Sequence, residues 1–226
     1  MSDQYLCSFS FYQFTQAYWN LASAERREVR DGLHTKLGDA QIHYDLYQVY
    51  PLRASVDLLV WLTVPVVDER TPALFFEQTA ALFNPFRRYL APVEIWWGLT
   101  RPSDYSRGKS AQEIDPLAGP RSTYLVVYPF VKSAEWYKMS RDTRQGMMNE
   151  HIRTGHQYPN IKQLLLYSTG LQDQEFIVTY ETEDLGQFSK LVTDLRSSEA
   201  RRFTERDTPI FTALHHSPEE TLNLFA

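Results

Sequence analysis

Apolar and polar positions alternate through QYLCSFSFYQF (residues 4–14), an aromatic-rich stretch whose period of two predicts a strand. The period then lengthens, and TQAYWNLASAERREVRDGLHTKLG (15–38) reads as a helix ending near Gly38. AQIHYDLYQVY and SVDLLVWLTV read as strands on either side of a turn at Pro51. TPALFFEQTAALFNPFRRYL (71–90) reads as a second helix and VEIWWGLT (93–100) as a further strand. After residue 121 the same order returns. STYLVVYPFV is a strand and KSAEWYKMSRDTRQGMMNEHIRTG (132–155) is helical. IKQLLLYSTG and EFIVTYET form a hairpin across LQDQ. LGQFSKLVTDLRSSEARRF (185–203) is a helix, and TPIFTAL (208–214) closes the chain's last strand. RPSDYSRGKSAQEIDPLAGPR (101–121), polar and punctuated by Pro, Gly and Ser, separates the halves as a linker or a functional loop.

The halves also agree residue by residue. AYWNLASAERR and AEWYKMSRDTR align at an offset of 117, pairing Ala17 with Ala134, Trp19 with Trp136, Ser23 with Ser140 and Arg27 with Arg144. Four identities at one spacing, inside matching elements, indicate an internal duplication. Strand-helix-strand-strand-helix-strand is the ferredoxin-like order. The expected fold is therefore α+β: two tandem ferredoxin-like repeats whose antiparallel sheets form a β-barrel with helices outside, of the dimeric α/β-barrel type. Residues 1–101 would form an N-terminal scaffold repeat, 102–120 a linker loop, and 121–226 a C-terminal repeat. Features common to both halves then read as structural, and features of one half alone as candidates for function.

Composition narrows the function classes. At 226 residues, 43% hydrophobic and 14% aromatic, the chain can bury a substantial core. Its net charge is −5 with acids and bases interspersed, so no basic stripe argues for nucleic acid, although local Arg and Lys residues can meet a small anionic ligand. Cys7 is the one cysteine, which excludes an intrachain disulfide and a cysteine-rich metal site. The segment MSDQYLCSFSF lacks the basic and apolar regions of a secretion signal, and no apolar run approaches the ~20 residues that span a bilayer. A soluble cytoplasmic protein is expected.

MMNEHIRTGHQY (147–158) carries the most informative residues. With Ser140 as a cap, Arg144, Met147, Met148, His151 and Ile152 recur at helical spacing, and His151 falls on the mostly apolar face shortly before Gly155. Two readings stand: a structural histidine favoured by the helix C-terminus, or a metal ligand. His156 lies beyond the glycine and reads as a loop residue. No HExxH, second histidine at i+4 or carboxylate cluster supports a bare zinc site. A lone histidine suits haem iron better, because a porphyrin supplies the other nitrogens. The duplication maps His151 onto His34, so position alone is not diagnostic. Its company differs: Tyr128 maps onto Phe11, Lys132 onto Thr15, Gln163 onto Leu46 and Arg196 onto Thr79. Trp136, which recurs as Trp19, reads mainly as core packing.

YPFVKSAEWY, MMNEH, IKQLLLYSTG, QDQEFIVTYET and DTPIF, in that order and spacing over roughly residues 100–212, resemble the chlorite dismutase-like superfamily of haem proteins. RPSDY resembles the segment ahead of that family's catalytic half. The resemblance implies His151 as the proximal iron ligand and Gln163 as the distal residue, with Leu164 there only if the strand slips by one. Glutamine in IKQ, where chlorite dismutases carry arginine, and YPFVK, with Tyr128 as a redox-active tyrosine and Lys132 as its partner, resemble the coproheme decarboxylases of this family. The activity so implied is peroxide-dependent decarboxylation of iron coproporphyrin III (coproheme) to haem b, two propionates becoming vinyls through a tyrosyl radical. Lys132 would hold the reacting carboxylate, Arg196 and Tyr105 would sit on the propionate side, and Glu199 would accept from the far nitrogen of His151. The alternatives are chlorite dismutation to chloride and dioxygen, or non-catalytic tetrapyrrole binding. The resemblance further implies a homopentamer, hydrogen peroxide as co-substrate and transient contact with a ferrochelatase.

Overall fold

A computed structural model describes residues 4–105, 108 and 110–226. The alternating stretches of the first half form β1 (Tyr5–Phe14), β2 (His43–Gln48), β3 (Leu58–Pro65) and β4 (Leu90–Leu99). Those of the second form β5 (Tyr124–Lys132), β6 (Lys162–Tyr167), β7 (Phe176–Thr182) and β9 (Phe211–His215), with a short β8 (Thr204–Arg206) that the pattern does not announce.

The helices are shorter than the periodicity suggests. The 15–38 stretch divides into α1 (Gln16–Trp19) and α2 (Ser23–Asp39), because Ala22 is extended and its N–H donates to the Glu25 carboxylate. The second half divides at the equivalent place into α4 (Ala134–Lys138) and α5 (Arg141–Gly155), where extended Ser140 caps α5 by accepting from the Thr143 N–H at 3.2 Å. The 71–90 stretch gives α3 (Thr71–Phe83), which a 3-10 turn carrying Pro85 ends. The 185–203 stretch gives α6 (Leu185–Arg196) and, after extended Ser198, a 3-10 turn at Glu199–Phe203. A further helix, α7 (Pro218–Asn223), starts on a Ser217–Glu220 capping box. Among the described residues, no helix is long and apolar enough to cross a membrane.

All pairings between named strands are antiparallel. Strands of the first half run in the order β4-β1-β3-β2 and those of the second in the order β6-β7-β5-β9. β4 joins β6, and β2 joins β9, so the strands close into a ring with β8 appended to β5. The β4–β6 joint rests on the pair Leu99↔Tyr167 and on the absence of a side chain at Gly98, where a Cβ would meet Ser168 Oγ at 2.7 Å and the Tyr167 carbonyl at 2.9 Å.

Period-two alternation sends one side of every strand into the ring and the other outward. Phe9, Phe11, Trp61, Trp96, Leu166 and Phe211 pack in the interior. One end of that interior is closed by Arg121, whose guanidinium lies 2.9 Å from Asp45 of β2, 3.5 Å from Glu181 of β7 and 4.4 Å over the Trp61 ring. The outer face of the first half is filled by α2 and its neighbours, with Leu33 and Leu37 of α2 buried against Leu58, Val60 and Leu62 of β3. The outer face of the second half is different. Its buried cluster is small, and α5, the counterpart of α2, buries no residue fully.

Candidate functional site

Several of the candidate site residues lie on that loosely covered outer face, and cross-strand register decides which residues reach it. Directly opposed residues of neighbouring strands share a face. Gln163 of β6 opposes Tyr180 of β7, Leu165 opposes Val178, and Val178 opposes Tyr128 of β5. Gln163, Leu165, Val178, Tyr180 and Tyr128 therefore line one outward surface. Gln163 is exposed, and Leu165 is 40% exposed, large for an aliphatic strand residue. Leu164, one residue along, is buried inside the ring, so the strand register turns Gln163 outward and Leu164 inward.

The helix α5, which carries His151, packs against α6 and the Glu199–Phe203 turn, and His151 lies within electrostatic reach of Lys132. Burial, with the Lys132 ammonium adding to it, holds the His151 imidazole down at about 4. The ring is thus neutral through the physiological range, with a lone pair available. Lys132 ends β5. Its backbone N–H donates to Glu175 at 2.7 Å, its ammonium lies 4.2 Å over the Trp136 ring, and the Ala200 carbonyl is 3.4 Å away. Burial pulls this amine down to about 8, the Glu175 carboxylate pulls the other way, and Arg201 adds to the fall. Trp136 is 3% exposed, whereas its counterpart Trp19 is 41% exposed. The duplicated tryptophan thus forms a buried platform under Lys132 in the second half only.

Tyr128 is half-buried. Burial first, then neighbouring Tyr180 and Asp207, push its phenol well above the ordinary range, with Arg196 acting in the opposite sense. The Tyr128 and Tyr180 rings stack at 6.4 Å. A phenol so placed keeps its proton and has a hydrogen atom to give. Arg196 and Arg201 share one carboxylate, Asp207, at 3.1 and 2.5 Å, and their guanidiniums stay 47% and 37% exposed. Each has donors left for another anion. Tyr105 packs edge-on to Trp136 at 6.3 Å, and its carbonyl accepts from Gln145 of α5 at 3.0 Å. Glu199 is 65% exposed, and its carboxylate accepts from the Arg202 guanidinium at 3.2 Å. His156 is exposed, as a loop histidine should be.

Sequence reasoning passed over Arg201, Glu175 and Gln112. Glu175 was legible only as a strand end, because its role comes from facing the β5 terminus across the ladder. Arg201 lies in the run EARRF, where helical period cannot say which arginine turns inward. Gln112, in the linker, donates through its side chain to carbonyls of the loop after α5.

Among the described residues, no group of three or more His, Cys, Asp or Glu side chains is arranged to hold a bare metal ion. The donor set is one neutral imidazole near Lys132, with the Arg196 and Arg201 guanidiniums still partly exposed. That set fits a metal whose in-plane ligands come with a flat, carboxylate-bearing macrocycle, and it does not fit a protein-only metal centre.

The chain is similar to known proteins of one family. A family model described as chlorite dismutase matches residues 22–216. The coproheme decarboxylase of Mycolicibacterium smegmatis is 32% identical over 184 residues, 78% of this chain and 74% of that protein. The coproheme decarboxylase of Staphylococcus carnosus is 30% identical over 221 residues, 89% of this chain and 84% of that protein. The chlorite dismutase of Ideonella dechloratans is 29% identical over 199 residues, covering 83% and 68%. A crystal structure of a mutant chlorite dismutase from Candidatus Nitrospira defluvii superposes with a TM-score of 0.87 at 25% identity, covering 98% of this chain and 95% of that one.

Proposed function

This chain belongs to the chlorite dismutase family, and we propose that within it the protein is a peroxide-dependent coproheme decarboxylase that makes haem b. The observation that carries the proposal is the conjunction, in the second half alone, of Tyr128 and Lys132 beside the outward Gln163 face and the neutral His151. Similarity to two coproheme decarboxylases over most of the chain supports the same reading.

Iron coproporphyrin III is the substrate in this reading. Bound, its iron supplies the redox chemistry with peroxide. Each propionate becomes a vinyl by losing carbon dioxide, one electron pair and a β-hydrogen. Hydrogen peroxide takes up the electrons, and with the β-hydrogen and one further proton it leaves as two waters. His151 would donate its lone pair to the iron. Tyr128 would give up one electron and its phenolic proton, then recover a hydrogen atom from the propionate β-carbon. Lys132 would hold the reacting carboxylate through a charge-assisted hydrogen bond. Its amine, lowered to about 8 by burial, remains mostly protonated near neutral pH. Arg196 and Arg201 would hold carboxylates that do not react, and Tyr105 would close the same side. Gln163, a neutral amide, would line the peroxide face without the cationic group that the resemblance assigns to chlorite turnover.

Tyr128→Phe tests the reading. The variant should still bind iron coproporphyrin III but leave its propionates intact under peroxide. Normal conversion by that variant would exclude the tyrosyl route. By the same family resemblance we expect a homopentamer, and transient contact with a ferrochelatase that supplies the substrate.

A further inference from the structure

The 111–116 segment of the linker passes between the end of α5 and the start of β6. Gln112, part-buried there, engages both. Its side-chain amide donates to the Tyr158 carbonyl at 2.9 Å and the Ile161 carbonyl at 3.0 Å, with the Gly155 carbonyl at 3.4 Å. Its backbone carbonyl accepts from the Gln163 N–H at 2.7 Å, and the Ile114 N–H donates to the Gln163 carbonyl at 2.9 Å. Glu113 thereby bridges Gln163 in parallel, on the side of β6 away from β7.

One linker residue thus holds, through its side chain, the loop that leaves α5 four residues after His151. Through its backbone it holds Gln163. Gly155 ends α5, where carbonyls lack intrahelical donors. An amide offers two hydrogens, and the two shorter contacts use them. Tyr158, the residue so held, also donates its phenol to Asp194 of α6. The same clamp therefore joins the linker, the loop after α5, α6 and β6. Among the described residues, the side-chain partners of Gln112 are all carbonyls, so the position calls for donors. A carboxylate of the same length would face the carbonyls with acceptors only, whereas a lysine ammonium would offer three donors.

We propose that Gln112 is a positioning residue that sets where His151 stands relative to Gln163, and so fixes the two faces between which the iron porphyrin binds. This rests on the reading of His151 as iron ligand. The test uses the full chain with Gln112→Glu and Gln112→Lys, and haemin as the probe. Two readouts are needed: amide exchange over residues 155–163 without porphyrin, and the absorption and electron paramagnetic resonance spectra of the ferric haemin complex. The Glu variant should exchange about tenfold faster in that loop and show an altered iron spin-state mixture, and the Lys variant should restore both. Unchanged exchange in Gln112→Glu overturns the clamp. Faster exchange with wild-type spectra overturns the positioning role, as does a Lys variant no better than Glu. His151→Ala provides the separate control: if its haemin complex keeps the wild-type spectrum, the iron-ligand reading fails, whatever the Gln112 variants do.

Discussion

Replacing Arg121 by methionine should cost far more stability than any surface charge in the chain. The guanidinium is 4% exposed and lies between Asp45, 14% exposed, and Glu181, 2% exposed. It also donates to the carbonyls of Asp115 at 3.0 Å and Pro116 at 3.1 Å, tying down the end of the linker. Methionine fills similar volume, so the loss is electrostatic and not a cavity. Removing one partner from a buried ion pair costs about 3–5 kcal/mol, which for a chain of this size lowers Tm by roughly 6–20 °C. The pH dependence carries a sign. Burial raises the Glu181 carboxyl even with Arg121 present, which acts to lower it. Without Arg121 the rise is larger. A carboxyl whose folded pKa is raised stabilises the fold below its ordinary range, and that contribution is lost as pH climbs through the raised value. The Arg121→Met deficit should therefore be full near pH 8 and shrink towards pH 5, and Arg121→Met/Glu181→Gln should recover part of it at pH 8. Thermal unfolding at both pH values measures this. A deficit below about 1 kcal/mol, or one identical at the two pH values, would refute the reading of Arg121 as a buried clasp.

Gly98→Ala should destabilise by about 1–3 kcal/mol, because the new Cβ meets backbone at the β4–β6 joint; chemical denaturation reads it, and a neutral effect would mean that the joint relaxes freely. His151→Ala should abolish the imidazole-ligated absorption spectrum of a bound ferric porphyrin, and an unchanged spectrum would remove His151 from the iron. Arg201→Ala should weaken iron coproporphyrin III about tenfold, the worth of one charge-assisted hydrogen bond. It should weaken an esterified analogue much less, and equal losses in a binding titration would remove Arg201 from the carboxylate sites.

Strands and their faces were readable from the sequence because alternation is local: β1 spans Tyr5–Phe14 where the pattern ran from residue 4 to 14. Helix ends were less readable. Nothing in the period marks the break at Ala22, which depends on Glu25 folding back on a backbone N–H. β8 has three residues, too few for a period, and its pairing with the end of β5 is a tertiary event. The duplication drew attention to the second half, yet it could not show why the halves differ. That required the packing, in which Leu33 and Leu37 of α2 are buried and the corresponding helix α5 buries nothing fully. Glu199 looked suited to orient His151 by its place in the chain; in the fold its carboxylate meets Arg202. The Arg196–Asp207–Arg201 cluster joins residues from a helix, a 3-10 turn and the segment after β8, a convergence no linear motif encodes.

If this face converts propionates on a bound iron porphyrin, the mass of that porphyrin must change under peroxide. The most direct measurement is the mass spectrum of iron coproporphyrin III bound to the full chain, before and after stepwise addition of hydrogen peroxide. Two successive mass losses are expected, each equal to carbon dioxide plus two hydrogens, ending at the mass of haem b. A bound porphyrin that keeps all four propionates after excess peroxide, while still ligated by His151, would contradict the proposed reaction.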